Sequence, residues 1–272
     1  MTESAASLPP PAHHAPAAAD AWVAPIANLA AYRFVAIDDP EALRETVRGW
    51  CAAAGLKGTV LLAHEGINAF LAGPRDAVER VLQQLRTLPG LDGLEAKWSG
   101  SQTLPFRRLW VRVKPEIVTL RRAGFDREQA PAPRVSPETL RRWLDAGHDD
   151  DGRTVTLLDT RNAWEVAVGS FEGALDPGIK RFSQFAGRLE DYAHLRDATL
   201  VTFCTGGIRC EKAAPLMRAA GFERVFQLDG GILRYFETCG GAHWRGDCVV
   251  FDDRQALRPD LSPVVDGTAP GR

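Results

Sequence analysis

The sequence lacks long apolar runs, and no stretch of its 272 residues approaches the roughly 20 apolar residues of a membrane-spanning helix. The N-terminal segment also lacks a basic start followed by an apolar core, so no secretory signal is predicted. No Gly-x-Gly-x-x-Gly motif follows a predicted strand, and no set of two histidines with a carboxylate is evident, so no organic cofactor or metal is recognisable. Five cysteines, an odd number, favour reduced thiols and a cytoplasmic protein.

The chain also lacks an excess of charge of one sign, because it has 33 basic and 35 acidic residues and a net charge of −2. The whole molecule therefore has no general attraction for nucleic acid. The basic residues are nevertheless unevenly distributed, with eleven of them and only four acidic residues between Lys97 and Arg142. This segment could form a local phosphate-binding face, or its charges could point into solvent in several directions.

The chain length predicts two domains with additional terminal and linking segments. Residues 1–27 are rich in Pro and Ala and are predicted to be a disordered tail. Residues 28–113 follow the order β-α-β-β-α-β of a ferredoxin-like α+β domain. Its strands are expected at 32–37, 58–63, 67–71 and 109–113, and its helices at 40–54 and 75–87. Residues 114–135 contain three prolines and several charges, which predicts a basic linker.

Residues 136–245 alternate between helical and strand patterns and predict an α/β domain with a mainly parallel sheet. Helices are expected at 137–146 and 210–220, and strands at 155–159, 199–204 and 224–228. Residues 246–272 are predicted to be a C-terminal segment and tail without a zinc module. Cys204 ends a central strand of this domain, and ligands of open α/β sheets bind at the carboxyl ends of strands.

The loop from Cys204 to Arg209 is the strongest chemical signal. A thiol between a buried strand and the start of a helix is expected to be stabilised as the thiolate. Gly206 and Gly207 let successive N–H groups converge on the sulfur, and Arg209 adds a fixed positive charge. The predicted nucleophile is therefore Cys204, in a loop completed by Thr205, Gly206, Gly207, Ile208 and Arg209. The alternative is a buried structural cysteine on a core strand.

Motifs on both sides of this loop resemble those of rhodanese-like domains. They are the segments 157–165, 169–174 and 225–232, which include an Asp-x-Arg pair and a closing Gly-Gly turn. A wider resemblance, over about residues 30 to 257, is to the bacterial rhodanese-domain tRNA uridine hydroxylases. It is carried by the segments 64–68, 114–119, 207–212 and 246–254.

That resemblance implies an enzyme that hydroxylates C5 of the wobble uridine in tRNA, with molecular oxygen as co-substrate and Cys204 as the active thiol. The implied partner is tRNA, bound by its anticodon arm, with no membrane or DNA involved. The candidate RNA-binding residues are Arg107, Arg108, Arg112 and Lys114.

Two other functions remain open from the residues. A rhodanese-type sulfurtransferase would move sulfur from thiosulfate or a protein persulfide without RNA, and it needs only the cysteine loop. A non-catalytic docking module is the third hypothesis, against which the intact Cys204 and glycine pair argue. Phosphatase activity is not expected, because cysteine phosphatases of related fold carry the arginine one residue later than Arg209.

Five residues outside the loop are auxiliary candidates. Cys210 could resolve an oxidised Cys204 or only pack against the sheet. By the resemblance, Asp159 and Arg161 are expected to hold loops together. Lys180 and Arg181 could face the active cysteine and bind a phosphate, or could be free.

A metal site is not expected in the second domain. Cys239, His243 and Cys248 have the spacing of three ligands, but no fourth donor lies nearby in the sequence.

Overall fold

The computed structural model describes residues 24–264 and begins with a five-stranded sheet. The elements of this first domain are β1 (Ile26–Phe34), α1 (Pro40–Ala53), β2 (Lys57–Ala63), β3 (Gly66–Gly73), α2 (Arg75–Arg86), β4 (Ala96–Ser101) and β5 (Leu109–Val113). The strands lie in the order β4-β1-β3-β2-β5, and neighbours are antiparallel except for the parallel pair β2 and β5. The first four strands and the two helices form the predicted ferredoxin-like unit, which β5 extends at one edge.

The apolar core of this domain lies on one face of the sheet. Val60 and Leu62 of β2 and Ile67 of β3 are fully buried, and they pack in one cluster with Val47 of α1 and Leu85 of α2. Side chains of a strand alternate between the two faces, so the intervening residues point away from the helices. The face without helices contacts the second domain.

Two strands of the first domain differ from the prediction. β1 begins at Ile26, inside the predicted tail 1–27, whose residues 1–23 lie outside the described part of the chain. The fourth strand of the ferredoxin-like order is β4, whereas the sequence predicted 109–113, which is β5 at the opposite edge. Lys97 and Ser101 of β4 are polar yet buried, so β4 lacks the apolar alternation that reveals a strand.

The second domain is built on a four-stranded parallel sheet in the order β6-β10-β9-β7. Its elements are β6 (Arg134–Val135), α3 (Pro137–Ala146), β7 (Val155–Asp159), α4 (Ala163–Val166), β8 (Gly169–Phe171), a 3-10 segment (Phe182–Leu195), β9 (Thr199–Phe203), α5 (Cys210–Ala219), β10 (Arg224–Leu228), α6 (Gly231–Cys239), β11 (Trp244–Gly246), β12 (Cys248–Val249) and β13 (Ala256–Leu257). In residues 24–264, no helix has both the length and the apolar character needed to cross a membrane.

The segment predicted as a linker is packed rather than free. Ile117 and Leu120 are buried, and Leu120 belongs to the apolar cluster that includes Phe185 and Leu200 of the second domain. The end of the predicted linker contributes β6 to the second sheet. The connection therefore joins the two domains through a shared, partly apolar contact.

Candidate active site

Cys204 lies at the carboxyl end of β9, between β7 and β10, as the sequence predicts. All five residues of β9 are buried, so the strand holds the start of the loop rigidly. Gly207 has a φ of 94°, which a side chain disfavours, and this turn directs the chain into α5. The N–H of Ile232 donates to the Cys204 carbonyl at 3.0 Å, so the start of α6 supports the loop from behind.

The Cys204 thiol is arranged to ionise. The residue is 1% exposed, and the N–H of Gly207 donates to Sγ at 3.2 Å. Burial raises the pKa of the thiol. Hydrogen bonding from the Cys210 thiol, the charge of Arg209 and the N–H groups of Arg209 and Gly207 outweigh burial and lower that pKa from 9.0 to about 6. Cys204 is therefore mostly thiolate at neutral pH, the form that reacts as a nucleophile.

Cys210 complements this thiolate. It is fully buried at the start of α5, and its Sγ lies 3.7 Å from Oγ1 of Thr160. Burial and the neighbouring Cys204 sulfur raise the pKa of Cys210 well above 9.0. The two cysteines thus form one thiolate and one thiol, and the resolving role of Cys210 stays a prediction.

Arg209 is held beside the thiolate by a buried carboxylate. Nη2 of Arg209 donates to Oε1 of Glu165 at 3.0 Å, and both residues are buried. Nη1 of Arg209 is also buried, and within the described residues it has no hydrogen-bond partner. Beside the thiolate, the two N–H bonds of Nη1 are therefore donors without an acceptor in residues 24–264.

Asp159 and Arg161 form a second buried ion pair with a 2.6 Å contact, and both side chains are fully buried. Arg161 also donates to the Gly169 carbonyl at 2.6 Å, and the Ser170 hydroxyl donates to Asp159 at 2.8 Å. The pair therefore ties the end of β7 to β8 and is remote from solvent.

The helix-free face of the first sheet covers one side of the cysteine loop. The Tyr32 hydroxyl donates to Oε1 of Glu211 at 3.3 Å, and Arg134 forms an ion pair with the same carboxylate at 2.5 Å. A Cβ atom at Gly207 would lie 2.9 Å from the Tyr32 hydroxyl oxygen, so the two domains touch at the loop itself. Tyr32 was not among the predicted site residues, because nothing in its local sequence pattern distinguishes it.

Lys212 joins three of the segments that carry the resemblance. Its Nζ donates to Glu65 at 2.9 Å, to Glu116 at 2.6 Å and to the Val118 carbonyl at 2.9 Å. The N–H of Ile117 donates to Glu65 at 2.7 Å, which closes the network. Burial opposes ionisation of Glu116, but the Lys212 ammonium and two backbone N–H groups hold its pKa below 4.5. This network fixes α5, and with it the cysteine loop, to the first domain.

Residues of the C-terminal segment also lie beside the cysteine loop. The Phe251 ring lies 5.6 Å from the Arg209 guanidinium carbon and 6.5 Å from the rings of Phe70 and Trp164. Phe251 is 39% exposed, so an apolar ring faces solvent beside the loop. Arg254 bridges the domains by donating to Ser99 at 2.7 Å. In the sequence, Phe251 was noticed only as part of the segment 246–254.

Comparison with known proteins matches both halves of the chain. A family described as UPF0176 acylphosphatase like domain matches residues 26–117, and the rhodanese-like domain family matches residues 136–238. A tRNA uridine(34) hydroxylase of Cupriavidus taiwanensis is 53% identical over 240 residues, which cover 88% of this chain and 85% of that protein. One of Bordetella petrii is 54% identical over 240 residues, covering 88% and 95%. The chain belongs to the tRNA uridine(34) hydroxylase family.

Membership of the tRNA uridine(34) hydroxylase family confirms the predicted family and the two-domain α/β fold. Among solved structures, the rhodanese-like domain of an Anabaena protein is 22% identical, with a TM-score of 0.35, and covers 42% of this chain and 79% of that one.

The RNA-binding candidates of this hydroxylase-family chain lie on and just before the edge strand β5. The side chain of Arg107 is 91% exposed, and Arg108, Arg112 and Lys114 are also exposed. The Arg112 guanidinium lies 4.2 Å from the centre of the Trp110 ring, which is itself 44% exposed. These residues form an exposed basic and aromatic surface.

Other basic residues of the segment from Lys97 to Arg142 do not share that surface. Arg127 and Arg134 pair with Glu211, and Arg142 pairs with Asp150. The local basic excess is therefore divided between an exposed strand edge and internal ion pairs.

The remaining candidates lie apart from the cysteine loop. Lys180 and Arg181 are exposed, and within residues 24–264 no hydrogen bond or ion pair joins either side chain to that loop. His243 binds Asp145 at 2.6 Å, and residues 24–264 contain no cluster of side chains suited to a metal ion.

Proposed function

We propose that this protein hydroxylates C5 of uridine 34 in tRNA, with Cys204 as the reactive thiol. Relatives that are more than half identical over most of the chain bear the name tRNA uridine(34) hydroxylase. The observation that carries the assignment is the fixed junction of the cysteine loop with the first domain through Lys212. Sulfur transfer to a small acceptor needs the cysteine loop alone, whereas a tRNA substrate also needs the wider surface that this junction provides.

The reaction replaces a C–H bond of the base with a C–OH bond, which is a two-electron oxidation. We propose molecular oxygen as the oxidant: one oxygen atom enters the base and the other leaves as water. Forming that water takes two further electrons and two protons, which the thiols of Cys204 and Cys210 would supply when they close a disulfide. The adjacent thiolate and thiol support this assignment. A cellular thiol would then reduce the disulfide.

The target base has to leave the stack of the anticodon loop to reach Cys204, and a single-stranded loop permits this at low cost. The exposed ring of Phe251, close to Arg209, offers a face on which a pyrimidine can stack. We assign the anticodon arm to the exposed surface of Arg107, Arg108 and Arg112, where phosphates would meet basic side chains.

The test is mass spectrometry of wobble-position nucleosides in tRNA from cells that lack the protein. Complementation uses the wild type, Cys204→Ser, or the control Cys239→Ser in α6. We expect 5-hydroxyuridine derivatives to disappear on deletion and to return with the wild type and the control, but not with Cys204→Ser.

Two results would contradict the proposal. If the wobble-position nucleosides did not change after deletion, tRNA hydroxylation would not be the function of this protein. If the purified protein then transferred sulfur from thiosulfate to cyanide in a Cys204-dependent reaction, it would be a sulfurtransferase. Full complementation by Cys204→Ser would instead remove the thiol from the mechanism.

A further inference from the structure

A polar cleft of about 200 Å³ lies beside the cysteine loop, between the first sheet and the start of α5. We call it the Lys97 cleft; its lining includes Tyr32, Arg33, Lys97, Arg127, Arg134 and Glu211. Exposed Gly93 and Glu95 lie at its rim, so it is open to solvent. Its volume is several times the roughly 30 Å³ that one water molecule occupies in the liquid, so it can admit more than solvent.

Lys97 is the unusual residue of the cleft. It is only 6% exposed, and its ammonium lies 5.0 Å from the centre of the Tyr32 ring. No hydrogen bond or ion pair joins this ammonium to any other residue between 24 and 264. A buried charge without a partner is costly, and burial together with repulsion from Arg234 lowers the pKa of Lys97. An anion in the cleft would supply the missing partner.

The acidic residues around the cleft are already engaged by other cations. Glu211 pairs with Arg134 and Arg127, and Asp229 pairs with Arg134 and Arg234. Glu95 is paired with Arg234 as well.

Two cations of the cleft, Lys97 and Arg33, form no ion pair within residues 24–264, although the more distant carboxylates of Glu95, Asp229 and Glu237 attract Lys97. Lys97 and Arg33 are therefore left to attract a negative group.

We propose that the Lys97 cleft binds a backbone phosphate of the tRNA adjacent to the reacting uridine. This inference rests on the proposed function. Tyr32 forms a wall of the cleft and also touches the loop at Gly207, whose N–H binds the Cys204 sulfur. A nucleotide chain that places one base at Cys204 thus has its neighbouring phosphate close to the cleft. Phosphates are the anions that RNA presents, and Lys and Arg are their usual partners.

The test compares Lys97→Met with the wild type and with Lys57→Met, a control of the same chemistry on the same sheet. Binding of a labelled anticodon stem-loop is measured by fluorescence anisotropy at several salt concentrations, without turnover. Losing one charge-assisted contact should weaken binding about 10- to 100-fold for Lys97→Met. The slope of log K against log[salt] should fall by about 0.7, the value for one phosphate of a single strand. Lys57→Met should match the wild type.

A folding defect would be visible separately, because removing an unpaired buried charge should leave thermal stability equal or higher. Equal affinity and equal salt slope for Lys97→Met and the wild type would overturn this inference while leaving the proposed function intact. Absence of stem-loop binding by the wild type would overturn both. Inorganic phosphate is the second probe: if it binds in a Lys97-dependent manner without displacing the stem-loop, the cleft is a small-anion site and the RNA assignment is wrong.

Discussion

Replacing Lys212 with Met should destabilise the protein more than any change of similar size on the surface. The Lys212 side chain is 5% exposed, and its ammonium is held by Glu65, Glu116 and the Val118 carbonyl. Breaking a buried ion pair by removing one partner costs about 3–5 kcal/mol. The two carboxylate side chains remain 28% and 24% exposed, so water can partly solvate them, and we expect a loss of about 2–4 kcal/mol in the free energy of unfolding.

The loss of unfolding free energy caused by Lys212→Met should become smaller as the pH falls. The pKa of Glu116 is lowered in the folded protein, so its ion pair contributes stability above the unfolded pKa near 4.5. That contribution disappears as the pH falls through the lower folded pKa. Urea unfolding at pH 7 should therefore give the full difference between Lys212→Met and the wild type, and the difference should shrink below about pH 4.5.

Lys57→Met, outside this network, is the control and should change the unfolding free energy by less than about 0.5 kcal/mol. The double variant Lys212→Met with Glu116→Gln should lose less than the sum of the two single changes, because the residues interact directly. An effect of Lys212→Met below about 1 kcal/mol, or one that is constant from pH 7 to pH 3, would refute the role given to this network.

Two further predictions concern the thiolate and the RNA surface. The rate at which iodoacetamide alkylates Cys204 should rise with pH around a midpoint near 6. Cys210→Ala should move that midpoint to higher pH, because it removes the thiol that donates a hydrogen bond to Cys204. An unchanged midpoint would contradict the hydrogen bond between the two cysteines. Charge reversal at Arg107, Arg108 and Arg112 should reduce the salt slope of tRNA binding by about 2 and leave the urea midpoint unchanged; a fall in both would indicate misfolding instead.

Local sequence signals were sufficient to predict the ends of an element where residues at those ends cap or terminate it. α3 extends from Pro137 to Ala146 as predicted, because Ser136 caps its start and Gly147 ends it in the left-handed conformation. β10 also has its predicted bounds. By contrast, β4 was missed because Lys97 and Ser101 are polar yet buried, so the strand lacks apolar alternation. A strand that buries polar side chains has no such signature in its own sequence.

The site was predictable only in part for the same reason. The cysteine loop was recognised because its residues are consecutive. The partners of Lys212 are 147 and 96 residues away in the chain, and no spacing rule connects them. Their segments were noticed through resemblance to a family, but which atoms meet depends on how the two domains pack.

The contacts of Lys212 also bear on how such chains can be recombined. Lys212 lies in the half that carries the cysteine loop, yet every oxygen that holds its ammonium comes from residues 65 to 118. A fragment that started at residue 120 would keep Cys204, but Lys212, eight residues later, would lack all three oxygens that hold its ammonium. Chimeras of two relatives should therefore inherit 64–119 and 207–212 from one parent, and the rhodanese half is not an exchangeable module.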